Sequence, residues 1–590
     1  MYLPREERRA TATLRTAAPP RQPNMNNSAA KKSPSSSSVV VTPPDTIDEK
    51  AKAQDHSSKQ AFRVLAIFWA VMHFVDLLIA TFIWINAWDG WVIAALSTLV
   101  LFMPDSLLAF TAMTGASAIR VINMMPFVVN HLLLMLQADI VILIASVYAV
   151  IVSHLRPNNT KDIDIHHQKN PSVICFQTFA PALRLQMVAT YLLTVVHKMN
   201  WDFLNPKTSC ASLLFQQMLM QFNIVEYDTP INNGALLAVI YGTLLVETLI
   251  PVLLMIPKTR YTGLVLGALF HFGLGLHVNP GICSFSSQFL AYLSLFLSTD
   301  ALGEVCKIGG WPGFGRASQT RTLLRRFLPP MWLVIPLGFF VVLYGRIELR
   351  NQIGKHRRTA PQTADLFKTL HDSIFHVYWI ACTVWLISAM IMPSKGRKNI
   401  HATIAGELDF TIQNGSRSKQ KTIKKLPLAL LAFMMMNFAK PYIGGPTHGC
   451  YHMFANLRTE RNPNHLFLPT RHFLPYQDDM VKVVLSRPNI LQPWVNPNSL
   501  QQWKVGNHRI LTMFELRRLV RQYQGPITLQ LQFANGTEEV ATRNQLGATN
   551  STSGVFDPPG YWENKLVWNM HTSTFDGPTV CDGKVARAGR

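Results

Sequence analysis

Residues 62–86 read FRVLAIFWAVMHFVDLLIATFIWIN. This is an apolar block of the length that spans a bilayer core, about twenty helical residues for ~30 Å of hydrocarbon. Working outward, blocks of similar texture recur at about 127–152, 178–199, 234–256, 261–278, 284–299, 329–347 and 374–393, with a short one at 427–439. The stretch 91–125 is interrupted at Pro104-Asp105. It reads either as one full and one weaker span or as a re-entrant pair. The expected fold class is an all-α polytopic membrane domain of about 9–11 membrane helices, followed by a small lumenal α+β C-terminal domain.

Composition agrees. The chain has 590 residues, 48% of them hydrophobic and only 15% charged, whereas soluble domains carry about 25% charged residues. Lys and Arg exceed Asp and Glu by 55 − 33, a formal charge of +22. A dense basic domain with interleaved aromatics is missing, so nucleic acid is not the expected partner. Cytoplasmic loops of membrane proteins collect Lys and Arg, and the lipid bilayer is the expected surrounding. Seven cysteines argue against a disulfide-dense scaffold, and no CxxC pair suggests zinc or thioredoxin chemistry.

The chain divides into three regions. Residues 1–60 carry the Ser-rich stretch Ser33–Ser38 among Pro, Arg, Lys and Thr, and are expected to be a disordered cytoplasmic tail. No apolar signal-peptide core stands there, and Glu6 and Glu7 argue against a transit peptide. Residues 61–440 form the transmembrane domain. Residues 441–590 form the water-facing domain, with strands expected at 479–485 and 527–533, a helix at 511–523 and a hairpin at Asn535-Gly536.

Charge asymmetry orients the spans. The loop at 305–328 holds Lys307, Arg316, Arg321, Arg325 and Arg326, and the loop at 394–425 is richer still, so both read as cytoplasmic. Lys258 and Arg260 agree; Lys355, Arg357 and Arg358 run the other way. Counting spans places 200–233 and 441–590 on the lumenal side. The triplets Asn535-Gly536-Thr537 and Asn550-Ser551-Thr552 permit that placement.

Several polar residues interrupt the apolar blocks. Arg184, Tyr191 and Lys198 are spaced seven apart, which puts them on one helix face. Charged groups in hydrocarbon are costly and turn toward a protein interior or a wet cavity. A desolvated lysine loses its charge and becomes a general base or nucleophile; a lysine at a span end also simply snorkels to the interface. Asn130, His131, Gln137 and Asp139 share the helix of 126–139, either as a structural network or as a catalytic or substrate-binding group around His131. His271 and His277 are six apart, a poor same-face spacing, and no HExxH pattern occurs, so no metal site is expected. His166-His167, flanked by Asp162 and Asp164, fits a solvated loop better than a metal site. Glu247, with Pro251 four residues on, is an intramembrane carboxylate of either relay or structural use. After the last span, Arg458, Glu460, Asn464 and His465 cluster at the membrane exit. An arginine there can hold a carboxylate or bicarbonate.

The run TYLLTVVHKMNWDFLNP (190–206), the Asn130-His131 pair, and MFANLRTE (453–460) followed by Asn464-His465-Leu466 together resemble the HTTM (horizontally transferred transmembrane) domain proteins. That superfamily includes the vitamin K-dependent γ-glutamyl carboxylase. The resemblance spans about 60–300 and 427–470. It implies a membrane enzyme of the endoplasmic reticulum or a related endomembrane, carboxylase/lyase-like, with vitamin K hydroquinone or a related lipid quinol, O2 and CO2 as reactants and a protein or peptide as substrate. By resemblance, Lys198 is the base that deprotonates the quinol and His131 assists at the carbanion and CO2 step. Arg458 and His465 fall in the family's Arg/His-rich strip and join Asn130, Arg184, Tyr191 and His271 as candidate substrate-binding residues. The carboxylase has Lys-Lys-Leu-Asp where this chain has His197-Lys198-Met199-Asn200. A transporter or channel lined by Arg184, Glu247 and the histidines is the rival reading, and a non-enzymatic membrane scaffold or receptor a further one. Cys210 and Cys450 both fall on the proposed lumenal side, where a disulfide between them is a further expectation; oligomeric state stays open.

Overall fold

A computed structural model describes residues 44–79, 88–125, 130–155, 170–226, 230–277, 280–297, 331–356, 360–391, 425–445 and 450, and toward the C-terminus 455–459, 463–470, 473–474, 476–477, 480–487, 510–523, 525–544, 548–557 and 560. Met1–Glu49 is a unit of its own, of which only the first turns of α1 are described; the helical bundle and the sheet belong to Lys50–Arg590.

Helix α1 (Pro44–Ile79) carries the diagnostic run. The expected disordered tail is corrected at its end, because the chain is helical from Pro44 rather than from about 61; residues 1–43 lie outside the described residues. A helix apolar all round must bury every side, and α1 does so from Phe62 to Leu78. Phe62 meets Phe110 edge-on, Trp69 meets Tyr292, Phe74 meets Phe339 and Phe68 meets Trp385. Those rings belong to α3 (Leu107–Met124), α10 (Pro280–Leu293), α11 (Met331–His356) and α12 (Pro361–Ile391). Helix α1 is therefore the hub of the bundle.

The ambiguous stretch 91–125 is two packed helices, α2 (Trp88–Phe102) and α3, turning at Pro104-Asp105. Ser106 caps α3 by accepting the Ala109 amide at 3.2 Å. Asp105 pairs with Arg63 of α1, and its carbonyl accepts the Ser172 hydroxyl at 3.1 Å. The corner is thus tied to α1 and to α5 (Pro171–Lys198).

Among the described residues, seven segments are long and apolar enough to cross a membrane: Ser58–Leu78, Leu107–Met124, Asn130–Leu155, Pro171–Lys198, Asn233–Met255, Thr369–Ser388 and Leu426–Ile443. Trp88–Phe102 and Ile282–Phe296 are apolar but shorter. The count is lower than the sequence suggests because two expected spans are short helices, α9 (Arg260–Gly275) and α10. A third lies in α11, whose C-terminal half carries Arg346, Glu348 and Arg350. Helix α4 (Asn130–Leu155) turns Ile140, Ile144, Val147 and Ile151 outward. Helix α8 (Asn233–Met255) does the same with Tyr241, Leu245, Leu249 and Val252. Such continuous outward apolar stripes suit acyl chains better than water.

The C-terminal part is an antiparallel sheet in the order β2-β1-β3-β4-β5: β1 Met480–Arg487, β2 Ile510–Thr512, β3 Ile527–Phe533, β4 Glu538–Arg543 and β5 Thr549–Asn550. Ile527, Leu529 and Leu531 alternate inward along β3. They pack with Leu516, Leu519 and Val520 of α14 (Met513–Gln522). Thr512 caps that helix by accepting the Glu515 amide at 3.3 Å. Asn535-Gly536 turns β3 into β4, with Gly536 at φ +86°, a conformation glycine adopts without steric cost.

Candidate functional site

Helix α5 starts on an Asn170 cap with Pro171 in its first turn and ends at Lys198. Asn200 then caps the single turn α6 (Trp201–Leu204), accepting the Phe203 amide at 2.8 Å. This stop leaves Lys198 buried at the helix end, 5% exposed, facing Glu247 of α8, 8% exposed. Nζ lies 2.5 Å from Oε1 and 2.6 Å from Oε2. The Phe203 ring stands 5.6 Å from Nζ. The lysine donates to both oxygens of a buried carboxylate. Pro251 has no amide for the carbonyl of Glu247, so the helical ladder is open at the level of this pair.

Two turns back along α5, Tyr191 is buried with its hydroxyl 2.5 Å from Nε2 of His271 on α9. His271 is stacked on Phe289 and edged by Phe270 and Phe285. Its Nδ1 is buried and has no hydrogen-bond partner among the described residues. Arg184 turns elsewhere, donating from Nε to the Leu295 carbonyl at 2.8 Å. The seven-residue spacing thus brings each side chain to a different neighbour: α8, α9 and the turn Ser294–Phe296 that comes after α10.

The exit strip closes the site from outside. Asn200 and His465 form an isolated antiparallel bridge. Asn464 Nδ2 donates to Asp202 Oδ2 at 2.8 Å and to the Asn456 carbonyl at 2.7 Å, while its Oδ1 accepts the Arg458 amide at 2.8 Å. The Asn456 side chain accepts the Cys210 amide and donates to the Thr208 carbonyl. The two motifs, some 260 residues apart, form one clip across the end of α5. His197 belongs to it as well, with Nδ1 accepting from the Tyr442 hydroxyl at 2.9 Å and Nε2 donating to the Cys450 carbonyl at 2.8 Å.

His465 is built into the clip through both ring nitrogens. Nε2 donates to the Val196 carbonyl at 2.8 Å, and Nδ1 accepts the Phe467 and Leu468 amides at 3.1 and 2.9 Å. Burial pushes its pKa below the usual histidine value, against the Val196 bond, which raises it. Arg458 is buried in the same strip, and its backbone brackets Asn464. The expected Cys210–Cys450 disulfide is corrected. Cys210 is disulfide-bonded, while Cys450 keeps a buried thiol pushed up to about 12 by burial, with Lys440 pulling it down.

His131, the second expected catalytic residue, belongs to another buried cluster, which sequence reasoning missed. Asp76 of α1 accepts from Arg120 Nη1 of α3 at 3.1 Å and from the Ser284 hydroxyl of α10 at 3.0 Å. His73 and His131 both lie within electrostatic reach of Asp76. Both His73 ring nitrogens, Arg120 Nη2 and both amide atoms of Gln288 are buried without a hydrogen-bond partner among the described residues. Asn130, the first residue of α4, has its Oδ1 in the same condition. Nearby, Trp69 donates to Asp139 at 3.2 Å, and Gln186 to Gln137 at 3.2 Å. The only signal available in sequence was a histidine and an aspartate three apart in the first apolar block. His166 and His167 lie outside the described residues, among which no group of three or more metal-type ligands occurs.

Lys198 with Glu247 offers a titratable pair, and His271 Nδ1 a buried ring nitrogen without a hydrogen-bond partner among the described residues; these are the two kinds of group that a quinol head would need. Comparison of the whole chain with family models, with curated proteins and with solved structures gives no match.

Proposed function

We propose that this chain is a multi-pass membrane enzyme of the endoplasmic reticulum or a related endomembrane that uses the Lys198–Glu247 pair to deprotonate a lipid-soluble quinol, in the manner of the HTTM and carboxylase-like proteins. The observation that carries the reading is the buried pair itself. A proton passed from Nζ to Glu247 changes no net charge and leaves an amine that can accept a hydroxyl proton. An arginine could not do this.

The surroundings suit such a substrate. Helix α8 turns Leu245 and Leu249 outward on either side of Glu247. The clip, formed by 455–459 and 463–466, lies over the same helix end, the side from which a protein substrate would come. Tyr191 and His271 are positioned to orient the head group. When bound with O2, the quinol supplies the strong base that abstraction of a glutamate γ-proton requires, and CO2 is then the electrophile. The Cys210 disulfide supports a non-cytosolic setting for the 200–233 loop, because such bonds persist in oxidising compartments.

The test is epoxide formation from vitamin K hydroquinone and O2 by the purified protein in nanodiscs. Wild type is expected to make epoxide, and Lys198→Ala to lose about 10²–10⁴-fold, the usual worth of a general base. Wild-type rates from folded Lys198→Ala, or none from folded wild type, would overturn the reading.

The Asp76–Arg120 cluster favours a second reading, an ion- or proton-coupled transporter, since ionisable groups deep in a helical bundle line permeation paths. Wild-type proteoliposomes that take up protons without making epoxide, with Asp76→Asn silencing the flux, would favour it.

A further inference from the structure

The sequence contains five Asn-x-Ser/Thr triplets in which x is not proline, beginning at Asn26, Asn158, Asn414, Asn535 and Asn550. The count of spans in the sequence divides them between the two sides of a membrane. Asn414 lies in the Lys-rich loop 394–425. Asn158 precedes α5, whose other end is the Lys198 clip, so a single crossing separates the two. The N-terminal tail shares the Lys/Arg side in the same count. Asn535 and Asn550 lie beyond the clip.

Three observations place this second pair in an oxidising compartment. Cys210 is disulfide-bonded, and thiols stay reduced in the cytosol. The Cys210 amide is held by Asn456, and the 199–208 turn is bonded to Ala455, Asn456, Asn464 and Leu466, so the exit strip is on the side of that disulfide. From the strip the chain continues into the sheet, among whose described strands none is apolar and long enough to return through a bilayer.

Both asparagines are also presented to a modifying enzyme. Asn535 is exposed at the tip of the β3–β4 hairpin, where its Oδ1 accepts the Thr537 amide at 3.0 Å and the Thr537 hydroxyl at 2.7 Å. Asn550 is exposed on β5, the edge strand. Strand edges invite pairing with other chains, and natural proteins cover them. A bulky hydrophilic group on Asn550 does that.

We propose that Asn535 and Asn550 are N-glycosylation sites, while Asn26, Asn158 and Asn414 stay unmodified. The donor is a lipid-linked oligosaccharide diphosphate. The Asn carboxamide nitrogen bonds to the sugar C1 as the C1–O bond to the diphosphate breaks; the polyprenyl diphosphate leaves with the electron pair, and the amide gives up one proton to the transferase base. No oxidant or reductant takes part. The proposal rests on the endomembrane sidedness of the functional reading and not on its quinol chemistry.

The experiment expresses the full chain in cultured eukaryotic cells and compares gel mobility before and after peptide N-glycosidase, with peptide mapping of all five triplets. Wild type should show two glycosidase-sensitive steps, N535Q and N550Q one each, and the double variant none. T537A and T552A keep each asparagine and should remove the same steps. Unmodified Asn535 and Asn550, or a glycan on Asn158 or Asn414, overturns the proposal. Epoxide formation by the same preparation separates the two claims: activity without glycans removes the sidedness and leaves the reaction, and glycans without activity do the reverse.

Discussion

Two of the buried ion pairs among the described residues join different helices of the bundle, and they are built for different ends. Lys198 meets both oxygens of Glu247 at 2.5 and 2.6 Å, at a helix end, with aromatic Phe203 beside it. Arg120 touches one oxygen of Asp76 at 3.1 Å, and Ser284 takes the other. A lysine is able to give up its proton to such a partner, whereas a guanidinium stays protonated. His73, Arg120 and Gln288 also carry buried polar atoms without a hydrogen-bond partner among the described residues, a setting that invites ordered water. Burial of charge alone therefore does not mark a reactive group. What distinguishes the Lys198 site is a titratable cation, a two-oxygen partner and an outward-facing helix beside it.

The sharpest way to break this comparison is to exchange the cations. Lys198→Arg keeps an ion pair with Glu247 but should lose quinol turnover nearly as fully as Lys198→Ala, about 10²–10⁴-fold, whereas Arg120→Lys should leave turnover per folded molecule within a few-fold of wild type. Equal losses in both would show that the two pairs share one role.

Next in size is the stability of the second pair. Asp76→Ala leaves Arg120 uncompensated and should cost about 3–5 kcal/mol, read as an earlier melting transition in detergent, with turnover of the surviving folded fraction unchanged. Asn464→Ala is expected to be milder, about 1–3 kcal/mol for the polar groups it strands. Its mark should be local, with faster amide exchange at 199–205 and none at α1. If exchange rises evenly along the chain, the clip does not hold the Lys198 end specifically.

The smallest effect belongs to a water-facing carboxylate. Burial pushes Glu539 up, but bonds from the Ser551 and Ser553 hydroxyls and from the Thr552 and Ser553 amides outweigh it and hold the group below its ordinary value. A depressed folded value means that stability is present above the unfolded pKa and lost as pH falls through the folded one. The sheet should thus soften slightly below about pH 4.5 in wild type, and Glu539→Gln should flatten that slope. A steeper slope in the variant would contradict the assignment.

How much of the fold and the site was legible depended on distance along the chain. The apolar blocks announced the helices because their period and length are local properties, and Asn535-Gly536 announced its hairpin because a turn needs only adjacent residues. Pro104 marked the corner between α2 and α3, yet only packing decided that both halves are helical and paired. Lys198 was legible as a candidate, but its partner was not. Glu247 lies 49 residues away on another helix, and nothing in either local sequence names the other. The same holds for Asp76 and Arg120, which are isolated polar letters inside separate apolar blocks. His465 misleads in the opposite sense: its letter suggests chemistry, while its ring nitrogens are spent on the backbone of the clip. Cys210 and Cys450 show that two cysteines expected on one side of a membrane need not be a pair.

The central claim is that Lys198 and Glu247 act as one proton-exchanging unit. A double-mutant cycle on quinol epoxidation tests it most directly, using Lys198→Ala, Glu247→Ala and the double variant in nanodiscs, with each rate normalised to folded protein. Residues that act as a unit are grossly non-additive, so the double variant should be no slower than Lys198→Ala alone. Losses that multiply, or a Glu247→Ala variant as fast as wild type, would contradict the account.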